Sequence, residues 1–218
     1  MKFTIKKADI QDVLAKVQGL AGRKTNLAIT TNVLIRSEGS EISIAATDLE
    51  TGFEGHYPAA IETSGSIAIN AKKIFEIIKE FPSDEISINE TENQWIEISN
   101  KNVEFHIMGM NPEEFPDIPR IEDVTFFDID SADLKNMIEK TLVIGAMDDK
   151  RAHIIGAYFE KIADEKNRAI RMVSTDGSRL CTTDRSFPPE VALTFDDGVL
   201  IPKKGLNEVN KFLESEGD

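Results

Sequence analysis

Side chains able to do covalent or metal chemistry are sparse in this 218-residue chain. Three histidines and one cysteine, Cys181, are scattered without metal-ligand spacing, and no HExxH, GxxxxGKS/T or strand-linked GxGxxG occurs. Asp148-Asp149 would make a Mg²⁺ pair, but Lys150 and Arg151 follow at once, which suits a charged surface turn better than a cation site. No catalytic residue, metal or cofactor is therefore expected. What stands out is VSTDGSRL, Val173 to Leu180, a strand end running into a turn with an arginine and a leucine behind the glycine. Its Thr175-Asp176 pair recurs as Thr47-Asp48 in IAATDLETG, after the same kind of apolar run. Short polar side chains at such positions hydrogen-bond their own backbone and set a turn, so the pair by itself is structural. The tail of the second copy has no parallel in the first.

The elements that position these turns repeat along the chain. FTIKKADIQDVLAK from Phe3 aligns with FDIDSADLKNMIEK from Phe127 at a shift of 124, and Thr47-Asp48 with Thr175-Asp176 at 128. IAINAKKIFEIIKEF aligns with VLIPKKGLNEVNKFL at 132. A weaker echo at a shift of 64 sets Phe3, Ile5 and Ile10 over Ile67, Ile69 and Ile74. Each repeat is thus two similar halves, and each half opens with an alternating strand followed by a helix. Ile10, Val13, Leu14, Val17 and Leu20 carry the buried face of the first helix. Residues 32–36 and 41–46 flank a hairpin signal, and 85–88, 95–98 and 103–107 alternate at period two. The class is α+β, two domains of βαβββ-like halves with antiparallel sheets. Pro112, Pro116 and Pro119 place the boundary near Arg120 to Asp123, giving domains 1–120 and 121–218. By the 132-residue shift Asp218 falls on Ile86, so 33 residues of the first copy, to about Pro119, lack counterparts. The second domain is expected to be incomplete, a fragment or a unit needing cover for its sheet.

With 40% hydrophobic residues the chain can fill two modest cores. The single cysteine, and a start without an apolar run, point to the cytoplasm and away from membranes. The formal charge of −14 would repel nucleic acid if spread evenly. It is not spread evenly: helical segments 6–24, 70–80, 131–153 and 203–211 hold 15 Lys and Arg against 9 Asp and Glu, and the remainder 10 against 30. Lysines solvating outer helix faces would give the same count.

FTIKKADI, AGRKTNLAITTNVLI, AATDLE, AKKIFEII, MNPEEFPDIP, STDGSRL and LIPKKGLNEV, in this order, resemble successive landmarks of the bacterial sliding clamp, the β subunit of DNA polymerase III. The resemblance covers the whole chain. It implies the DNA clamp fold, with clamp-type domains whose helices line a channel inside antiparallel sheets. It also implies three domains per protomer and a head-to-tail homodimeric ring around double-stranded DNA, so the third domain and the end of the second are absent here. The implied function is a non-catalytic processivity factor that tethers the replicative polymerase.

Carried over, Arg23, Lys72, Lys73, Lys150, Arg151, His153, Lys203 and Lys204 face the DNA, contacting phosphates without reading sequence. The chain departs from better-known members, which have a glutamine and a tyrosine pair where Asp148, Ala152 and His153 stand; Asp148 repels phosphate and Ala152 cannot stack. Ile154, Thr175, Gly177, Ser178, Arg179 and Leu180 correspond to the cleft that receives a short linear peptide of polymerases, the clamp loader and repair proteins. Phe105 and Ile107 fall at the dimer interface. A second reading of the same residues is an acidic protein-interaction scaffold on a repeated α+β unit, with no DNA role. The two differ in whether Arg23, Lys72 and Lys203 share one surface.

Overall fold

Alternation in KFTIK buries Phe3 and Ile5 on one face of strand β1 (Lys2–Lys6), and the 3.6-residue spacing that follows winds helix α1 (Lys7–Ala21) with Ile10, Val13, Leu14, Val17 and Leu20 all buried. The computed structural model describes residues 1–22, 27–119, 126–144, 155–163, 168–188, 191, 193 and 198–213. The chain divides into two compact units, Met1–Arg120 and Ile121–Asp218.

In the first unit α1 leads to strands β2 (Asn32–Glu38), β3 (Glu41–Thr47) and β4 (Gly52–Pro58). Strand β5 (Ala60–Thr63) joins this half to the next, which runs through β6 (Gly65–Asn70), α2 (Ala71–Glu80), β7 (Glu85–Glu90), β8 (Trp95–Ser99) and β9 (Glu104–Met108). Asn70 caps α2 by accepting from the Lys73 amide at 3.1 Å. The halves interlock: one antiparallel sheet is ordered β5-β1-β7-β8-β9 and the other β4-β3-β2-β6. Each half therefore lends its opening strand to the other half's sheet. Helix α1 rests on β1, β3 and β4, α2 on β2, β6 and β9, and the two helices lie side by side.

The proline-rich segment after β9 is docked on this unit. Met110 and Ala68 exchange backbone hydrogen bonds of 2.8 and 3.2 Å. Phe115 is buried with Ile29, Leu34, Ala45 and Ala68, and Ile118 packs on the same cluster.

In the second unit the elements are α3 (Ser131–Leu142), β10 (Gly156–Ala163), β11 (Arg168–Thr175), β12 (Leu180–Phe187), β13 (Val199–Pro202) and α4 (Lys203–Leu213). Asp130 caps α3 by accepting from the Asp133 amide at 3.0 Å. The sheet β12-β11-β10-β13 repeats the order β4-β3-β2-β6, and Met137, Ile138, Ile170, Met172 and Leu206 form the core beneath it. One expectation fails: residues 126–130, the counterpart of β1, form no strand. β1 owes its ladder to β5 and β7, and the 132-residue shift puts the counterpart of β7 at 217–222, outside the described residues. A strand needs a ladder partner, and none is paired with 126–130 among the described residues; Phe127 and Ile129 still pack against the core. Phe126, Val143, Leu180 and Val199 are each more than half exposed.

Candidate functional site

The two Thr-Asp turns share one set of hydrogen bonds. Thr175 Oγ1 donates to the Arg179 carbonyl at 2.6 Å and accepts from the Gly177 amide at 3.0 Å. Asp176 Oδ1 accepts from the amides of Ser178 and Arg179 at 2.9 and 2.8 Å. In the first copy Thr47 Oγ1 donates to the Thr51 carbonyl at 2.9 Å and accepts from the Leu49 amide at 3.0 Å. Asp48 Oδ1 accepts from Glu50 and Thr51 at 3.2 and 2.9 Å. The third residue is left-handed in both, at φ 87° for Gly177 and 75° for Leu49. Glycine adopts that backbone at no steric cost, whereas leucine is strained there. The Asp176 carboxyl is held at about 2, first by the Ser178 amide, then by the Arg179 amide and guanidinium.

What hangs on the scaffold differs. Thr47 and Asp48 are buried and Thr175 and Asp176 half-buried, while Leu49, Glu50 and Gly52 are exposed as residues 177–180 are; the difference lies in the side chains, with the Leu180 residue 64% exposed where the first copy has Gly52, and the Arg179 side chain 69% exposed. Arg179 lies on Asp176 with Nη2 to Oδ2 at 2.9 Å, so a bound acid or carbonyl would have to share its guanidinium. Behind the turn, the buried Ser174 hydroxyl donates to the Thr141 carbonyl at 2.7 Å and ties β11 to α3. The structure thus gathers Thr175, Gly177, Ser178, Arg179 and Leu180 on one turn and the first residue of β12. Ile154 lies outside the described residues.

Lys72 and Lys73 occupy the first turn of α2, and Lys203 and Lys204 that of α4. Unpaired amides and the helix dipole favour anions at such positions. Lys72 is 77% exposed and only 3.9 Å from Glu76, a loose pair. Arg23, Lys150, Arg151 and His153, with Asp148 and Ala152, lie outside the described residues. Three other helix lysines, Lys7, Lys16 and Lys211, are committed elsewhere. Lys7 Nζ donates to the carbonyls of Lys79 and Phe81 at 3.0 and 2.7 Å, capping the end of α2. Lys16 pairs with Asp12 at 2.8 Å and Lys211 with Glu208 at 2.9 Å.

Strand β9 is a sheet edge, and between it and α2 runs a groove of about 610 Å³ that includes Ile77, Trp95, Phe105 and Met108. Phe105 is 39% exposed and can offer surface there, whereas Ile107 at 6% belongs mainly to its own core. Along the same β8–β9 ladder, Glu97, Glu104 and His106 bring their ligand atoms within 4.8 Å of one another, with His106 Nε2 3.2 Å from Glu104 Oε1. Linear spacing did not find this trio because β8–β9 pairing assembles it. Glu104 and His106 are exposed, as in a solvated cross-strand charge cluster.

The family model for the N-terminal domain of the DNA polymerase III beta subunit matches residues 1–119, and that for its central domain matches 128–218. The chain is 27% identical to the beta sliding clamp of Chlamydia pneumoniae over its full length, covering 58% of that relative. It is 29% identical to that of Treponema pallidum, covering 57%. Among solved structures, the DNA polymerase sliding clamp from Bacillus subtilis superposes with a TM-score of 0.88 at 25% identity, over all of this chain and 58% of that one. The chain thus spans somewhat under three fifths of these relatives.

Proposed function

Because this chain belongs to the DNA polymerase III beta subunit family, we propose that it supplies the N-terminal and central domains of a DNA sliding clamp. The observation that carries the reading is a lysine pair at the N-terminal turn of both α2 and α4, on a chain whose net charge is −14. Duplex DNA presents one charge per about 1.7 Å of axis, and lysines meeting its phosphates release condensed counterions. Such contacts carry no base information, so a ring using them can slide. Lys72, Lys73, Lys203 and Lys204 take the phosphates, together with Arg23, Lys150, Arg151 and His153, while the acidic remainder discourages DNA outside the ring. The chain does no catalysis and needs no cofactor; it holds a polymerase near its template.

The exposed turn from Thr175 to Leu180, with Ile154, takes the short linear peptide of the replicative polymerase, the clamp loader or repair proteins. Leu180 supplies apolar wall, Gly177 allows close backbone approach, and Arg179 meets carbonyls or acids. The groove between α2 and β9, with Phe105 at its rim and Ile107 behind it, is the N-terminal half of a head-to-tail ring interface. Such a heterologous contact needs a different surface on the partner. No helix among the described residues is long and apolar enough to cross a membrane, and the reading places the protein in the cytoplasm.

Fluorescence anisotropy with mixed-sequence duplexes across a salt series tests the DNA reading. Weak, sequence-independent binding that fades with salt is expected, and Lys72→Glu with Lys203→Glu reduces the log–log salt slope by about 2 and removes most of the signal. Unaltered affinity in the double variant, or preference for one base sequence, would favour an acidic scaffold without a DNA role.

A further inference from the structure

Strand register equates two outer sheet faces that meet different fates. Leu34 pairs with Ala45 and Ala68 in the first unit, as Tyr158 pairs with Val173 and Leu200 in the second. Gly52, which pairs with Thr47, stands where Leu180 pairs with Thr175. In the second unit Tyr158, Leu200 and Leu180 are exposed. In the first, Leu34, Ala45 and Ala68 are buried beneath Phe115 and Ile118. Gly52 makes the room for this: a Cβ there would come within 2.9 Å of Ile118 Cγ2. Its φ is not left-handed, so close approach and not backbone freedom calls for glycine.

We propose that this face of the first unit is a peptide-binding groove whose resident ligand is the chain's own Phe115–Ile118 segment. The ligand class follows from the occupant: a short extended segment with an aromatic and an aliphatic side chain three residues apart and an acid between them. Phe115 fills the slot over Leu34, Ala45 and Ala68, and Ile118 the slot over Gly52. Asp117 lines, with Arg36 and Glu54, an open cavity of about 330 Å³ beside the segment, so the seat is only partly filled. Tethered a few residues from β9, the segment sees its groove at an effective concentration on the order of millimolar. A free peptide at micromolar levels cannot displace it. The plug therefore confines docking to the second unit, although both units carry the same turn.

The test titrates a fluorescein-labelled peptide of residues 110–119, MNPEEFPDIP, at up to about 0.1 mM, below the tether's effective concentration. The proteins are the parent chain, the Phe115→Ser/Ile118→Ser variant, and that variant with Gly52→Leu, each checked for a cooperative melt. Binding at the second unit is common to all three. The double variant should gain one site per chain over the parent, bound at least tenfold more tightly than any residual binding at that groove in the parent, and Gly52→Leu should remove it. A peptide with serine at both apolar positions should not fill the site. Equal stoichiometry in parent and double variant, or equal binding of the serine peptide, overturns the proposal. If the double variant does not melt cooperatively, Phe115→Ala/Ile118→Ala, which also empties both slots but introduces no hydroxyl, takes its place, and absence of a gain there overturns the proposal equally.

Discussion

Truncating Leu180 to alanine separates the proposed peptide surface from the turn that carries it. Leu180 is the first residue of β12 and 64% exposed, so the fold uses only about a third of its surface and a partner can cover the rest. Complete burial of a leucine is worth about 1.5–3 kcal/mol. Scaled by the 64% left for a ligand, the loss on truncation is about 1–2 kcal/mol, or about 5- to 25-fold in affinity. Isothermal titration of the parent and Leu180→Ala chains with one clamp-binding peptide measures the ratio directly. The melting temperature should move by no more than a few degrees, because the hydrogen bonds of Thr175 and Asp176 do not involve the removed atoms. Asp48→Ala is the control: it removes the buried carboxylate oxygen that accepts from two amides of the first-copy turn and should leave peptide affinity unchanged. An affinity unaltered by Leu180→Ala, or one that falls as far with Asp48→Ala, would refute the placement of the peptide on this turn.

The Asp176 carboxyl should titrate with an NMR midpoint near 2, below the ordinary 3.8. Since its pKa is depressed in the folded state, its stabilising contribution is complete above 3.8 and disappears as pH falls through about 2; a midpoint at 3.8 would contradict the amide hydrogen bonds. The left-handed third position makes opposite predictions for the two turns. Gly177→Ala should cost about 1–2 kcal/mol by urea unfolding, whereas Leu49→Gly, at an exposed residue, should stabilise by up to about 1 kcal/mol once backbone entropy is subtracted. Changes of equal sign at the two positions would refute the shared geometry.

The features readable in the sequence are those whose physics is local. Helix α1 announces itself through Ile10, Val13, Leu14 and Val17, because a 3.6-residue period puts them on one face. The Thr-Asp turns are equally legible, since every hydrogen bond in them spans at most four residues. Repetition of these signals at shifts of 124 to 132 is enough to reveal the two-unit plan and the lysine pairs of α2 and α4. Partners far apart in the chain were a matter for the tertiary structure. Nothing in KFTIK says that β1 pairs with β7 while β6 pairs with β2, because antiparallel ladders between distant strands depend on which faces the helices cover. Lys7, counted as one helix lysine among many, is spent on carbonyls 72 and 74 residues away. The alternation of FDID at 127–130 promises a strand, but alternation describes a face and not a neighbour, and without a ladder the segment keeps its packing and loses its strand. Gly52 carries no sign in the sequence that Ile118 lies against it; a separation of 66 positions puts that contact beyond any periodicity, and only close packing of the folded unit decides it.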